Sequence, residues 1–138
     1  MIRSIKVRLE PNNKQKTALF GSAGVARWAY NWALEQQEAN YKKGGTFIKD
    51  GELRKRLTAL KQNDPNYQWL YQYSNNITKQ AIKDACEAYK KFFKGQARKP
   101  RFKSKKRSKP SFYHDTAKIK FRDTHVYLEK VGWVRLSE

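Results

Sequence analysis

The residues best suited to bind a polyanion lie between Lys90 and Lys109, where eleven of twenty residues are Lys or Arg and none is Asp or Glu. Positive charges held this close repel one another unless a polyanion neutralises them, and each phosphate that a cation contacts releases a condensed counterion. This basic run therefore favours nucleic acid as the partner. The residues from which we expect phosphate contacts are Lys90, Lys94, Arg98, Lys99, Arg101, Lys103, Lys105, Lys106 and Arg107.

Two readings of the basic run stay open on sequence alone. It can be a phosphate-binding surface, which we favour, or a solvated linker that only aids solubility. Phe102 lies between Arg101 and Lys103. Its ring can stack on a base, as aromatic side chains do on single strands, or it can pack into a core.

The acidic residues and histidines do not form a recognisable catalytic pattern. Hydrolysis of a phosphodiester by two metal ions needs several carboxylates converging within about 4 Å of the metal pair. The twelve Asp and Glu residues are instead scattered, and pairs at helical spacing such as Glu35 and Glu38 lie beside cations. His114 and Asp115 are adjacent, so on a strand their side chains would point to opposite faces. The sequence predicts a chain that is not an enzyme on its own and has no metal site and no cofactor.

Composition predicts a folded protein. The chain has 138 residues, a formal net charge of +19 and a sequence pI of about 10.1, with 38% hydrophobic and 14% aromatic residues. A disordered basic tail would be poor in such residues, so we expect a core. The single cysteine, Cys86, excludes an internal disulfide and favours a reduced, cytoplasmic location. No apolar run approaches the roughly 18 residues of a membrane span, and we expect neither a membrane nor a small-molecule substrate as partner.

The elements that must position these residues follow from periodicity. Residues 1–10 alternate apolar and polar side chains, with Ile5, Val7 and Leu9 on one face, which predicts a half-buried strand. Helical patterns follow, the clearest of them a helix capped by Ser74 or Asn75 that ends near Lys94. The predicted helices are about 13–20, 25–41 after a break at Gly21–Gly24, 51–62, and 75–94; short strands are predicted around 119–121, 126–128 and 133–136.

The order of elements is one strand, about four helices, a basic joint and a β-meander, which predicts an α+β fold. The N-terminal strand can join the late strands, and the helices are then an insertion into a sheet that looks unfinished. The predicted divisions are a β part at 1–10 and 100–138, a helical insert at 11–95, and the basic joint at 96–110.

Several landmarks together resemble one protein family. They are KVRLEPNNKQ (6–15), GVARWAYNWAL (24–34), the helix end at 57–61, QAIKDACEAYKKFF (80–93), PRFKSK (100–105), Ser111-Phe112 and LEKVGWV (128–134). In this order and spacing, over nearly the whole chain, they resemble the N-terminal half of the TnpB (OrfB) proteins of bacterial insertion sequences, a family similar to type V CRISPR nucleases. Glu129 departs from the proline that the family commonly has there.

The resemblance implies a partial oligonucleotide-binding-like β-barrel, the wedge domain, with a helical recognition insert after its first strand. Complete members are RNA-guided DNA endonucleases that cut with a RuvC-type domain, and neither its catalytic acids nor the zinc-binding cysteines have counterparts here. The implied function is a nucleic-acid-binding fragment of a transposon-encoded nuclease. Its implied partners are guide RNA and double-stranded DNA, and a nuclease half on another chain is a further candidate.

Base reading needs side chains that both donate and accept hydrogen bonds, and the start of the fourth predicted helix is rich in them. In the family, this helix start forms one wall of the cleft for the target-adjacent motif. The resemblance therefore implies motif-reading roles for Phe47, Asn75, Asn76, Lys79 and Gln80. From the residues themselves we expect Tyr30-Asn31 to lock a helix onto the sheet, and the four tryptophans to lie in the core.

Two other functions compete with this one. The chain can be a split-nuclease subunit that needs a RuvC partner chain. It can also be a stand-alone DNA-binding regulator of the transposon, with the break at Gly21–Gly24 as the turn of a helix-turn-helix.

Overall fold

In the part of the chain that the structure describes, three α-helices, one long 3₁₀ helix and a four-stranded sheet make up the fold. A computed structural model describes residues 6–106 and 109–137. Its elements are β1 (Leu9–Glu10), α1 (Asn13–Lys42), α2 (Asp50–Asn63), a 3₁₀ helix (Pro65–Gln72), α3 (Asn75–Phe93), a short 3₁₀ turn (Thr116–Lys118), β2 (Lys120–Phe121), β3 (His125–Leu128) and β4 (Gly132–Leu136). The predicted α+β class is confirmed.

The predicted break at Gly21–Gly24 is wrong, because α1 runs without interruption for 30 residues. Asn12 caps it: its Oδ1 accepts from the Gln15 N–H at 2.8 Å, and the Gln15 side chain accepts from the Asn12 N–H at 3.0 Å. Gly21 serves close packing instead of a turn. A Cβ placed on Gly21 would lie 2.9 Å from Cε1 of Tyr73, so only glycine admits this ring against the helix.

The two later helical predictions are confirmed almost to the residue. α3 begins after Ser74, whose hydroxyl accepts from the Asn76 N–H at 3.3 Å. It ends at Phe93, followed by the cap residue Lys94 and by Gly95 with φ of 73°. The 3₁₀ helix follows α2 directly, because the Asp64 side chain accepts from the Asn66 N–H and Pro65 fixes the first turn.

The core lies where α1, α2 and α3 meet. Its largest fully buried side chains in this region are Leu34, Leu53, Leu70 and Ile82. Cys86 is buried among them. Trp32 is buried and Trp28 packs against the core, whereas Trp69 is 39% exposed, so its assignment to the core was wrong.

The sheet has the strand order β1-β4-β3-β2, and all its pairs are antiparallel. Leu9 pairs with Leu136, which confirms that the N-terminal strand joins the late ones and that the helices are inserted between them. The sheet stays open and does not close into a barrel. Among the described residues of the predicted first strand, Leu9–Glu10 pair with β4, and the Arg8 main-chain oxygen accepts from the Ser137 N–H at 2.9 Å. Val7 is 61% exposed, and Ile5 lies outside the described residues.

One side-chain hydrogen bond joins the helical part to the sheet. Gln15 Nε2 donates to the main-chain oxygen of Trp133 on β4 at 2.6 Å. On the same strand the Trp133 ring packs edge-on against Tyr127 at 5.5 Å, and the Arg122 guanidinium lies 4.1 Å from its centroid. The start of α1 is therefore fixed to an aromatic, cationic face of the sheet.

Within the part of the chain that the structure describes, no helix is long and apolar enough to cross a lipid bilayer.

Candidate nucleic-acid interface

The basic joint lies along α1 in the opposite direction to the helix. Lys99 Nζ lies 3.8 Å from the Glu38 carboxylate, near the helix end. Four residues later, the backbone of Lys103 bonds to the side chain of Asn31. Phe112, just beyond the joint, packs against the core. The described part of the joint is thus attached to the helical body at several points, and an unattached linker would lack these contacts.

Asn31 provides the most specific of these attachments. Its Nδ2 donates to the Lys103 main-chain oxygen at 2.8 Å, and its Oδ1 accepts from the Lys103 N–H at 2.7 Å. Both hydrogen-bonding groups of one peptide backbone residue are therefore satisfied by one amide side chain.

The neighbouring Tyr30 completes this attachment. The Lys103 ammonium lies 4.2 Å from the centroid of the Tyr30 ring, within cation–π distance. Burial raises the pKa of the Tyr30 hydroxyl, and the nearby Asp84 carboxylate raises it further, so the phenol is held in its neutral form. The expectation that Tyr30 and Asn31 lock a helix onto the sheet was wrong, because their partner is the basic joint.

The cations of the basic run fall into two groups. Lys99 and Lys103 are engaged by Glu38 and Tyr30, and the Lys90 ammonium lies 5.8 Å from the Phe47 ring. A second group is exposed and has no side-chain hydrogen bond or ion pair to any described residue: Lys91, Lys94, Arg98, Arg101, Lys105, Lys106 and Lys109, the last five of which lie in the joint. The engaged cations position the joint, and the exposed ones can meet phosphates. Arg107 lies outside the described residues.

Phe102 lies on the surface of the joint with 54% of its area exposed. One side of its ring borders a cleft with Trp28, Trp32 and Tyr67. Packing against the protein covers only part of the Phe102 surface, and the exposed part of the ring can stack on a ligand.

The start of α3 brings four of the predicted motif-reading residues together. Asn76, Lys79 and Gln80 line a cavity of about 210 Å³ with Arg54 of α2 and Tyr113, which follows the basic joint. Asn75 opens onto a neighbouring cleft together with Lys79. Part of their bonding capacity is used internally: Gln80 Nε2 donates to Asp84 at 2.9 Å, and Asn75 Oδ1 accepts from Lys61 Nζ at 3.4 Å.

Phe47 is not brought together with these residues. It packs edge-on against Phe93 at 6.1 Å and lies under the Lys90 ammonium, both of them in the C-terminal turns of α3. Fourteen residues separate Asn76 from Lys90, so this end of the helix is roughly 20 Å from the motif-reading cluster.

Sequence reasoning missed the second wall of the cleft, which α2 supplies. A cleft of about 440 Å³ lies between α2 and α3, with Leu57 and Ile82 among its lining residues. Its cations are Arg54, Lys55, Lys61 and Lys79. Arg54 and Lys61 stand seven residues apart, the spacing of one helical face, and this regularity was visible in the sequence.

Two of these cations favour an anionic ligand. Arg54 Nε is buried and has no hydrogen-bond partner among the described residues, although Nη2 of the same side chain pairs with Asp50 at 3.3 Å. Burial lowers the pKa of Lys61, and the positive charge of Lys130 lowers it further. A phosphate in the cleft would offset the charge repulsion at Lys61.

Across the described ranges, no group of three or more His, Cys, Asp or Glu side chains is placed to hold a metal ion.

Comparison with known proteins identifies the family. Residues 1–46 match the helix-turn-helix domain of the OrfB type, HTH_OrfB_IS605. Over 134 residues, 97% of this chain, the sequence is 31% identical to an Escherichia coli K12 protein whose name describes it as an RNA-guided DNA endonuclease, InsQ. The resemblance to the OrfB insertion-sequence family is confirmed. A relative in Streptomyces pristinaespiralis, also named as an RNA-guided DNA endonuclease, is 26% identical over 94% of this chain.

The chain is short beside these relatives. It spans 33% of the Escherichia coli protein and 32% of the Streptomyces protein. The described part of the segment that matches the OrfB helix-turn-helix domain contains β1 and all of α1, which is one uninterrupted helix.

Proposed function

We propose that this chain is a nucleic-acid-binding region of a transposon-encoded, RNA-guided DNA endonuclease and that it binds without cutting on its own. The observation that carries the proposal is the attachment of the basic joint along α1 by Asn31, Tyr30 and Glu38. Such attachment supports a shaped surface, since it holds the exposed cations of the joint side by side although Glu38 is paired with Lys99 alone among the joint cations that the structure describes. The names of the relatives make guide RNA and DNA the natural polyanions.

The two cationic surfaces suit different parts of such a complex. The basic joint presents its free cations in an exposed row and suits the backbone of a guide RNA or an RNA–DNA duplex. The α2–α3 cleft combines cations with Asn75, and the adjoining cavity adds Asn76 and Gln80. These amide side chains can donate to and accept from base edges. We assign the cleft to the target-adjacent DNA.

The salt dependence of affinity tests the role of the basic joint. With five free cations contacting phosphates, the logarithm of the association constant should fall by roughly four for each tenfold rise in salt. Fluorescence anisotropy of a labelled structured RNA measures this slope. Arg101→Gln with Lys105→Gln should reduce the slope by about two.

A matched control keeps the total charge equal. Lys14→Gln with Lys16→Gln removes two exposed cations from the first turns of α1, away from the joint. If this pair reduces the slope as much as the joint pair, charge alone attracts the RNA and the assignment of the joint is wrong. If a structured RNA from the 3′ end of the element binds no better than random duplex of equal length, guide recognition is wrong.

The role of the α3 start is tested separately. Replacing Asn75, Lys79 and Gln80 by Ala should remove preference among DNA duplexes of different sequence while leaving RNA affinity within about threefold. Unchanged sequence preference would contradict the assignment of motif reading to this helix start.

Catalysis is proposed to depend on a nuclease part outside these 138 residues. Mixing the chain with a RuvC-containing chain, guide RNA and divalent metal should then cut DNA, and the chain alone should not. Metal-dependent cutting by the pure chain would contradict the proposal.

A further inference from the structure

An aromatic cleft lies between α1, the 3₁₀ helix and the basic joint. Its volume is about 410 Å³, within the range of small-ligand sites. Trp28 and Trp32 supply one wall from α1, Tyr67 a second from the 3₁₀ helix, and Phe102 a third from the joint. Four aromatic side chains from three separate elements therefore meet around an open space.

The walls of the cleft are held in place by one another. The Trp28 and Trp32 rings are nearly parallel, with 16° between planes and 6.3 Å between centroids. Tyr67 and Trp69 both contact the Trp28 ring edge-on, at 6.1 and 5.4 Å. Phe102 is fixed through its neighbour, because Asn31 binds the backbone of Lys103. These side chains therefore lose little conformational entropy when a flat ligand binds.

Polar groups with unused bonding capacity lie at the same cleft. Asn31 lines it, but both ends of its amide are occupied by Lys103. Glu35 and Gln36 line it as well, and neither forms a side-chain hydrogen bond or ion pair with a described residue. A carboxylate that accepts and an amide that donates and accepts are suited to the edge of a heterocycle.

We propose that this cleft binds one unpaired nucleobase of a strand whose phosphates lie on the basic joint, an inference that rests on the proposed function. Stacking against aromatic side chains is how proteins hold unpaired bases. The exposed cations Arg101, Lys105 and Lys106 lie in the same segment as Phe102 and favour an anionic strand. The same cations disfavour a quaternary ammonium, the other ligand class that aromatic walls accept.

The polar rim predicts which bases are preferred. The Glu35 carboxylate only accepts, so it favours a base edge that carries several N–H donors. Guanine presents an imino and an amino group side by side, whereas uracil presents one imino group between two carbonyls. Guanine should therefore bind more tightly than uracil.

The experiment uses the full chain and hexanucleotides made of abasic sites, with or without one base at the centre. This design removes ambiguity of register, because only one base is present to enter the cleft. By anisotropy at fixed salt, the hexamer with one guanine should bind about tenfold more tightly than the all-abasic hexamer, the size of one base–aromatic stack. Phe102→Ala should abolish this gain, and Glu35→Gln should remove the preference for guanine over uracil.

Phe20→Ala is the matched control, since Phe20 is a 67% exposed phenylalanine on the first half of α1. This variant should keep the full gain from the base. Equal binding of both hexamers, or equal loss in the two phenylalanine variants, would overturn the base site. Displacement of the guanine hexamer by tetramethylammonium, at ionic strength where sodium has no effect, would also overturn it in favour of a cation.

The outcomes separate this inference from the proposed function. Salt-sensitive binding of the all-abasic hexamer without any gain from a base would leave phosphate binding by the joint intact and remove only the base site. Failure of the unmodified chain to bind either hexamer or a longer RNA would remove both.

Discussion

At the scale of single residues, Asn31 decides the direction of the basic joint more than the ion pair beside it does. The Lys99–Glu38 pair spans 3.8 Å and both side chains are partly exposed, and such pairs contribute under about 1 kcal/mol. The two bonds from Asn31 to Lys103 instead have the fixed geometry of a paired backbone. They set which residues of the joint face outward and thereby present the exposed cations to a ligand.

Asn31→Ala should release the joint from α1. The loss of two hydrogen bonds should lower the free energy of unfolding by about 1–2 kcal/mol, measured in urea. Trypsin should cut within 98–106 sooner than in the unmodified chain, seen by mass spectrometry. Asn63→Ala is the control, because Asn63 bonds only to the Ala59 carbonyl of its own helix at 2.9 Å. If both variants are cut at the same rate as the unmodified chain, Asn31 does not hold the joint.

Cys86 should be unreactive in the folded chain. Its side chain is 2% exposed, burial raises the pKa of its thiol, and the hydrogen bond from Gln37 only partly opposes this. Alkylation by iodoacetamide should be slower than in urea by at least about a hundredfold, since it requires opening of the core. In the variant Cys86→Ala with Ala97→Cys, an exposed thiol should react at the same rate with and without urea. Fast labelling of the native chain would contradict the burial of Cys86.

The raised pKa of Cys86 also gives a pH dependence of stability. Above the ordinary thiol pKa of about 8.5, the unfolded chain loses this proton while the folded chain keeps it. The unfolded state then binds fewer protons, so the free energy of unfolding should fall as pH rises from about 8.5 towards the raised value. Urea titrations of the unmodified chain and Cys86→Ala at pH 7 to 10 measure it. The same fall in both would show that the thiol is not its source.

At the scale of elements, the two glycines of α1 have opposite surroundings. An added methyl at Gly21 meets the Tyr73 ring, whereas one at Gly24 meets only Arg27 Nη2 at 3.9 Å. Gly21 therefore allows close packing of α1 against the end of the 3₁₀ helix. Gly24 has no such packing role and lowers the stability of the helix, because glycine loses more conformational freedom on folding than alanine does.

Gly24→Ala should raise the free energy of unfolding by about 0.5–1 kcal/mol, and Gly21→Ala should lower it by about 1–3 kcal/mol. Urea denaturation followed by circular dichroism measures both. Each variant is the control for the other, because the chemical change and the helix are the same. Equal shifts in one direction would mean that Tyr73 does not pack on Gly21 in solution.

The elements that the sequence predicted best are those defined by local signals. α3 has an apolar stripe, a serine cap and a glycine just after its end, and its predicted bounds of 75–94 agree closely with the observed Asn75–Phe93. The predicted break in α1 was wrong because a glycine within a helical pattern is compatible either with a break in the helix or with close packing against a neighbouring element. At Gly21 the packing partner is Tyr73, which is distant in sequence. The partner of Asn31 lies 72 residues away, which no local pattern indicates. For the same reason the α2 wall of the cleft was missed, although its cation spacing was visible.

At the scale of the whole molecule, a net charge of +19 on 138 residues means that the folded chain repels itself. Salt screens this repulsion, and it also weakens contacts with phosphate. Added salt should therefore raise the stability of the fold and lower the affinity for phosphate, because the same positive charges oppose folding and drive binding.

Raising sodium chloride from 50 to 300 mM should raise the melting temperature by a few degrees while RNA affinity falls by about 10³-fold, scaling with the phosphates contacted. Calorimetry and anisotropy on one preparation measure the two effects. A short polyphosphate at low salt should also raise the melting temperature, because it binds the folded form. A melting temperature that falls with salt would show that ion pairs outweigh the repulsion.

The pairing of Leu9 with Leu136 also has a consequence for synthesis on the ribosome. Along the chain β1 comes before the three α-helices and β4 after them, so in this sheet β1 has no partner until β4 has emerged. The three α-helices make their mutual contacts among residues 13–93 and can form earlier, as local contacts form before distant ones. Closing the sheet then means bringing together the ends of a long loop, which is entropically costly and slow. Until that step the edge of β1 is exposed, and it is the part of a nascent chain most open to pairing with a second copy.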